Sequence, residues 1–211
     1  MTWFKRSERE DAAAPAAARA ALPPEAVAHT RAFPRFLNAL RQRESPVIVD
    51  LGPVIGSNVA FFGERLGCKI FVEDLFADVE RHAREHKRAA LADFLSTRLS
   101  EDDGTVDGVL CWDLFDFLDR PAAVVLAARI ARMVQPGGAV FGYFGAAAAD
   151  LTHYSKFVIR SDTELAVRSY PATPMKRHVL QNRDIIRMFE PLIVAESFLL
   201  KSNTRETLFR R

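Results

Sequence analysis

The chain has 211 residues, of which 49% are apolar and 27% are charged, so it can form one folded domain with a buried core. Its 29 Lys and Arg residues nearly balance its 27 Asp and Glu residues, which argues against a protein that works mainly by binding nucleic-acid phosphates. Two cysteines are too few for a disulfide framework, and no apolar run reaches the ~20 residues of a membrane span. With a start unlike a secretory signal, these features predict a soluble cytoplasmic protein.

The first 30 residues are predicted to be a flexible or partly helical tail, and residues 31–211 are predicted to be a single domain. Alanine dominates residues 12–21, and Pro23 and Pro24 would end any helix that began there. The segment has few large apolar side chains to bury. An alternative interpretation is an arm that covers a pocket.

From residue 31 onward, short apolar runs alternate with amphipathic helices. The apolar positions Phe33, Phe36 and Leu40 share one face of a first helix. Strands are then predicted over 47–51, 69–73, 106–112 and 139–144, and helices over 57–66, 75–88, 121–133 and 182–189. The polar segment 150–173 is predicted to be irregular, and 192–200 and 204–210 to form an antiparallel hairpin. This alternation predicts a three-layer α/β sandwich.

Glycines and carboxylates follow several of the predicted strands. In a parallel sheet, ligands bind beyond the carboxyl ends of the strands. Gly52 and Gly56 would let the turn after the first strand pass close to a ligand, because no Cβ stands in the way. Glu73, after the second strand, is placed to accept both hydroxyls of a ribose, and Asp113 follows the strand that ends at Trp112. These residues are therefore candidates for a nucleotide-type site.

The same residues also have purely structural interpretations, which the sequence leaves open. Asp50 could cap the backbone N–H groups of the turn, and the two glycines could serve the turn alone. Glu73 could cap the next helix together with its neighbour Asp74. Asp113 and Asp116, three positions apart, suit either acid–base chemistry or ordinary capping.

The order and spacing of these motifs resemble the class I S-adenosylmethionine-dependent methyltransferases. The segment from Asp50 to Gly56 is similar to the loop that wraps the amino acid part of the cofactor, with Val54 in place of the middle glycine. Glu73 matches the ribose-binding acid of the family. Three further matches are Ala92-Asp93-Phe94, Val106-Asp107-Gly108-Val109 and Pro136-Gly137-Gly138, which resemble the family's Gly-Asp-Ala element, the entry to its fourth strand and the turn before its fifth.

The resemblance implies a Rossmann-like methyltransferase fold with a mostly parallel seven-stranded sheet and an antiparallel C-terminal hairpin. It implies S-adenosylmethionine as the cofactor, whose sulfonium methyl group passes to an acceptor by direct in-line displacement, while the protein aligns the acceptor and excludes water. The residues that would hold the cofactor are Asp50, Gly52, Gly56, Glu73, Asp93 and Asp113.

No catalytic base follows from the sequence; Asp113, His153 and Tyr154 are the candidates. His82 and His86 have a metal-like spacing, but no carboxylate or cysteine completes a ligand set, so no metal site is predicted. The expected partner is a small-molecule acceptor, without membrane or nucleic acid, and the oligomeric state is left open. The alternatives are a non-catalytic methyltransferase-like module that binds another protein, and a different nucleotide-binding enzyme.

Overall fold

A computed structural model of the chain describes residues 25–170 and 172–211. The strands are β1 (Ala26–His29), β2 (Val47–Asp50), β3 (Lys69–Val72), β4 (Val106–Trp112), β5 (Val134–Gly145), β6 (Ala149–Thr152), β7 (Ser155–Ser161), β8 (Glu164–Ser169), β9 (Met175–Arg177), β10 (Ile193–Leu199) and β11 (Thr204–Arg210). The α-helices are α1 (Phe33–Arg41), α2 (Gly56–Ala60), α3 (Leu75–Arg84), α4 (Leu91–Arg98), α5 (Arg120–Met133) and α6 (Asn182–Met188). Helix α2 continues into a π-helical turn, Phe61–Arg65.

The central sheet has six strands in the described part of the chain, in the order β10–β11–β5–β4–β2–β3. Strands β3, β2, β4 and β5 pair in parallel, whereas β11 runs antiparallel to both β5 and β10. The prediction of a seventh strand in this sheet is therefore wrong for the described residues. Between α3 and β4 the chain forms helix α4 instead, because the buried side chains Leu91 and Leu95 are four positions apart, as on one face of a helix.

A second, three-stranded sheet has the order β1–β8–β7, and β6 pairs with β9. The expectation that residues 150–173 are irregular is therefore wrong. Polar residues interrupt the segment, but Phe157 and Ile159 alternate inward along β7 and Leu165 does so on β8, which is the two-residue period of a strand. Long-range pairing with β1 completes this sheet.

The boundary of the N-terminal segment also differs from the expectation. Residues 1–24 of the expected tail lie outside the described residues. The last part of it forms β1, whose Ala26 pairs with Val167 of β8. Thr30 is buried, so the folded domain starts before residue 31.

The central sheet lies between two layers. Helices α3, α4, α5 and α6 bury their apolar faces on one side, together with Phe144 and Phe209 of the sheet. Helix α1, the π-helical turn and the small sheet cover the other side. Gly108 in β4 permits close packing of α1, since a Cβ there would lie 2.8 Å from the ring of Phe36.

The N-terminus of α1 is capped from the opposite end of the chain. Glu206 of β11 is fully buried, and its carboxylate accepts hydrogen bonds from the backbone N–H groups of Arg31 at 3.0 Å and Ala32 at 3.1 Å. The hydroxyl of Thr30 also donates to it. Ala32, the N-cap residue, makes no side-chain hydrogen bond, so the free N–H groups are satisfied by this distant carboxylate and by the Thr30 hydroxyl, which accepts from the N–H of Phe33 at 3.2 Å.

Candidate functional site

Asp50 and Trp112 stand at the carboxyl ends of the neighbouring strands β2 and β4, and both are 2% exposed. One carboxylate oxygen of Asp50, Oδ1, accepts from the backbone N–H of Gly52 at 2.9 Å and from the indole N–H of Trp112 at 2.6 Å. Burial raises the pKa of Asp50 to about 6, against the lowering effect of these two donors. Asp50 thus supports the turn, as its structural interpretation expected.

The space beside Gly52 holds the indole of Trp112. A Cβ at Gly52 would lie 2.6 Å from Cδ1 of Trp112, so only glycine fits here. Gly56 begins α2 and is exposed, with open space around it. Val54, which replaces the middle glycine of the family's loop, is 65% exposed. Its side chain therefore points away from the interior of the loop.

Strand β7 crosses this edge of the central sheet. Ser155 donates its backbone N–H to Oδ2 of Asp113 at 3.1 Å. Further along, the side-chain amide of Asn58 donates to the carbonyl of Phe157 at 2.8 Å and accepts from the N–H of Ile159 at 2.9 Å. The ring of Phe157 stacks on Trp112 with centroids 5.1 Å apart. Strand β7 is therefore fixed to both α2 and the end of β4.

Tyr154 and His153, two candidate bases, lie just before β7. Tyr154 is 1% exposed and stacks on Phe76 of α3 at 4.2 Å and on Tyr170 at 4.6 Å. Burial raises the pKa of its hydroxyl, so Tyr154 is held as a neutral phenol. Nδ1 of His153 is buried and has no hydrogen-bond partner among residues 25–170 and 172–211. The stacking contacts thus place Tyr154 in an aromatic cluster with Phe76 and Tyr170.

Glu73 is paired with Arg98 of α4. The guanidinium donates to the Glu73 carboxylate at 2.5 Å and to its carbonyl at 2.8 Å, and also to Asp78 at 2.8 Å. The helix cap is Asp74, whose side chain accepts from the N–H of Ala77 at 3.4 Å. Glu73 therefore does not cap α3, and its carboxylate forms an ion pair with Arg98. Asp93, on the first turn of α4, is exposed.

A cavity of about 620 Å³ lies beyond the ends of β4 and β5, and we call it the β4–β5 cavity. Its polar lining includes Asp113, Asp116, Tyr143 and Arg177, and its apolar lining includes Phe157. Sequence reasoning named Asp113 but missed Tyr143 as a site residue. It did not single out Arg177, whose Nε lies 3.3 Å from a carboxylate oxygen of Asp116.

Part of the chain matches a known protein family. The methyltransferase domain family matches residues 49–142, which run from β2 through the loop after it to β5. The match covers 94 of the 211 residues and agrees with the sequence resemblance to the class I S-adenosylmethionine-dependent methyltransferases. The matched stretch includes Asp50, Gly52, Glu73 and Asp113, whose roles in binding stay predictions. No curated protein sequence matches the chain at a significant level.

Solved methyltransferase structures share the fold. The CcbJ methyltransferase from Streptomyces caelestis is 15% identical, with 85% of this chain and 94% of that chain covered and a TM-score of 0.50. An S-adenosylmethionine-dependent methyltransferase from Mesorhizobium loti is 13% identical, with 82% and 96% covered and a TM-score of 0.50. At such identities the comparison establishes the fold.

The crevice between the Gly52 turn and Glu73, where the sequence resemblance places the cofactor, already holds protein side chains in the conformation described. The backbone brings the expected residues together, since the N–H of Glu73 donates to the carbonyl of Asp50 at 2.8 Å. Their ligand-facing sides are occupied, however: the indole of Trp112 lies against Gly52, and Arg98 lies on the carboxylate of Glu73. A ligand held by Gly52 and Glu73 would therefore compete with Trp112 and Arg98 for these positions.

Other classes of site find no support in the described residues. Nowhere in ranges 25–170 and 172–211 do three or more His, Cys, Asp or Glu side chains gather in a way that would hold a metal ion. Within the same ranges, no helix has both the length and the apolar composition needed to cross a membrane.

The β4–β5 cavity is lined by two buried carboxyl groups, those of Asp113 and Asp116. Burial, reinforced by the charge of Asp116, raises the pKa of Asp113 to about 7. Burial raises the pKa of Asp116 to about 6, and the N–H of Gly145 and the Arg177 guanidinium oppose that rise. Asp113 therefore keeps its proton to a higher pH than an ordinary carboxyl group, which makes it a candidate for a functional acid or base.

We expect the free energy of unfolding to fall as the pH rises from about 4 to about 7. Asp50, Asp113 and Asp116 have raised pKa values in the folded state, so the folded chain binds more protons than the unfolded chain in this range. The slope is at most about 1.4 kcal/mol per pH unit for each proton. Denaturant titration over this range measures it, and Asp113→Asn should flatten the slope near pH 7. An exposed control, Asp102→Asn, should leave it unchanged.

Proposed function

We propose that this methyltransferase acts in the cytoplasm on a small-molecule acceptor bound in the β4–β5 cavity. The observation that carries the proposal is the position of Asp113, which follows β4 in the family's cofactor-binding edge and also lines the cavity. A volume of about 620 Å³ lies in the range of small-molecule pockets. Asp113 would thus lie between the bound cofactor and the bound acceptor.

The size and walls of the cavity favour a small acceptor over a polymer. Strand β1 forms one wall through Val27, and the turn between β10 and β11 forms another through Leu200. Phe157 and Tyr143 stack on each other at 5.0 Å and close the inner side. An enclosure with apolar walls and a few polar groups suits the body of a small organic molecule.

The residues proposed to hold S-adenosylmethionine remain Asp50, Gly52, Gly56, Glu73, Asp93 and Asp113. When bound, the cofactor would supply an activated methyl group. The chain would align the acceptor and exclude water. The family's loop and ribose acid support the assignment of Gly52 and Glu73, while the exposed position of Asp93 gives it no contact that supports a role. No base is assigned: Tyr154 is a buried neutral phenol, and no contact of the described residues singles out His153 or Asp113 as a base.

Calorimetric titration of the whole chain with S-adenosylmethionine and its demethylated product tests the proposal. Micromolar binding, with no comparable heat from NAD or ATP, would support it. Absence of both heat and thermal shift at millimolar ligand would contradict it, since a ligand that binds the folded state must stabilise that state.

We expect Glu73→Ala to weaken S-adenosylmethionine binding by about 1–3 kcal/mol, because buried ribose hydroxyls would lose their acceptor. Isothermal titration measures the change. Glu85→Ala is a matched control, since Glu85 lies at the other end of α3 and pairs with Lys87 on the surface. Equal affinities for the two variants would remove Glu73 from the site.

One observation favours the second candidate, a non-catalytic module that binds another protein. Trp112 and Arg98 fill the crevice with good hydrogen-bond geometry, as expected of a domain that has no ligand there. The titration described above separates the two, because the module requires that S-adenosylmethionine not bind even at millimolar concentration.

A further inference from the structure

A second cavity, of about 340 Å³, lies between the start of α5 and helix α6, and we call it the α5–α6 cavity. It is lined by Arg120, Arg183, Asp184 and Arg187 and shares no residue with the β4–β5 cavity. All three arginines are exposed, so a molecule that enters the cavity can reach their guanidinium groups. The α5–α6 cavity is therefore open to a ligand that the lining recognises by charge.

The charges around the α5–α6 cavity do not cancel. Asp184 pairs with Arg120, whose Nη1 and Nη2 each lie 3.3 Å from one of its two carboxylate oxygens. Within residues 25–170 and 172–211, no carboxylate forms an ion pair with Arg183 or Arg187. Three positive charges and one negative charge line the cavity, which leaves an excess of two positive charges.

The two arginines of α6 stand where positive charge weakens a helix. Arg183 lies in the first turn, at the end where the helix dipole favours negative charge. Arg187 follows four positions later on the same face, and like charges at this spacing destabilise a helix. The helix forms because Ile185 and Met188 are buried in the core. An anion bound between the two guanidinium groups would offset their repulsion.

The helices that carry the arginines are fixed in position. Asp119 caps α5 by accepting from the N–H of Ala122 at 3.0 Å, and Arg120 follows it directly. Ile185 of α6 and Leu126 of α5 belong to the same buried core cluster. A ligand would therefore bind without any rearrangement of the backbone around the cavity, which lowers the cost of binding.

We propose that the α5–α6 cavity binds the phosphate group of a small phosphomonoester, to which Arg183 and Arg187 donate hydrogen bonds while Arg120 adds a third positive charge. A phosphomonoester carries a charge of about −1.5 to −2 near neutral pH, which matches the excess charge of the lining. A carboxylate or a sulfate ester carries only one negative charge. The guanidinium fork also fits the oxygens of a phosphate group. This binding does not depend on the proposed function.

Three probes that share a phenyl ring test the inference on the full chain, without any methyl donor present. They are phenyl phosphate, phenyl sulfate and phenol, titrated by calorimetry at pH 8 and low ionic strength. We expect phenyl phosphate to bind about fivefold more tightly than phenyl sulfate, because its second charge is also attracted to the guanidinium groups, and phenol to bind most weakly. Equal affinity of the two esters, preference for phenyl sulfate or phenol, or no binding of any probe would overturn the inference.

The double variant Arg183→Gln with Arg187→Gln removes the two unpaired charges. We expect it to lose the preference for phenyl phosphate over phenyl sulfate, whereas Arg35→Gln should keep it. Arg35 is a matched control, since it is an exposed arginine of α1 on the other side of the central sheet. An unchanged preference in the double variant would contradict the inference. The comparison of probes on the unaltered chain decides the question if the variant does not fold.

A single-stranded oligodeoxynucleotide is the fourth probe, because its phosphodiesters offer the same oxygens on a polymer. Tighter binding of the oligonucleotide than of phenyl phosphate, lost in the double variant, would overturn the assignment to a small ligand. Weaker binding would support it. Failure of S-adenosylmethionine to bind would overturn the proposed function and leave the phosphate result intact.

Discussion

Replacing Trp112 with alanine is expected to tighten S-adenosylmethionine binding at least tenfold and to lower the free energy of unfolding by about 3–5 kcal/mol. The indole lies against Gly52 and donates to Asp50 at 2.6 Å, so its removal opens the space that the family's cofactor needs. The stability falls because a fully packed aromatic side chain is lost from the core. Calorimetric titration measures the affinity, and denaturant unfolding measures the stability.

A suitable control for Trp112→Ala is Phe209→Ala. Phe209 is completely buried on the other side of the central sheet, where it stacks on Phe189 at 4.4 Å. This variant should lose a similar amount of stability without any gain in affinity. If Trp112→Ala instead weakens S-adenosylmethionine binding, the indole belongs to the ligand-bound site and does not obstruct it.

Replacing Glu206 with alanine is expected to lower the free energy of unfolding by about 3–5 kcal/mol. Its carboxylate accepts from Thr30 and from two or more backbone N–H groups at the start of α1, and hydrogen bonds to a charged group contribute about 1.5–3 kcal/mol each. Denaturant unfolding at pH 7 measures the loss. Glu196→Ala, which removes only a surface pair with Arg35, should cost less than about 1 kcal/mol. A loss of less than 1 kcal/mol in Glu206→Ala would show that water replaces the cap.

The sequence predicts the elements whose signals are local. The apolar runs that became β2, β3 and β4 are each bounded by turn residues, and Pro121 at the start of α5 marks a helix N-terminus. The parallel core of the sheet follows from their alternation, and the family match over residues 49–142 agrees with the resemblance to methyltransferases. By contrast, the small sheet depends on β1 pairing with β8, and no local pattern in Ala26–His29 indicates a partner so far along the chain.

The candidate site also has one part that the sequence predicts and one part that it does not. Gly52 and Glu73 lie beside each other at the sheet edge because their strands are parallel neighbours, which the sequence predicts. The sequence does not predict what contacts them. Arg98 reaches Glu73 only because α4 replaces the third strand, and Trp112 reaches Gly52 because its φ of 49° turns the end of β4. Side-chain contacts of this kind follow from the whole fold.

The position of Trp112 has an optical consequence. The chain has two tryptophans, and the other, Trp3, lies outside the described residues. The indole of Trp112 stacks on Phe157 and is hydrogen-bonded to Asp50, so its fluorescence comes from an environment without water. Water would reach the indole if the crevice opened. In a Trp3→Phe background, the red shift of a single intrinsic fluorophore would therefore follow crevice opening in real time, without any label attached to the protein.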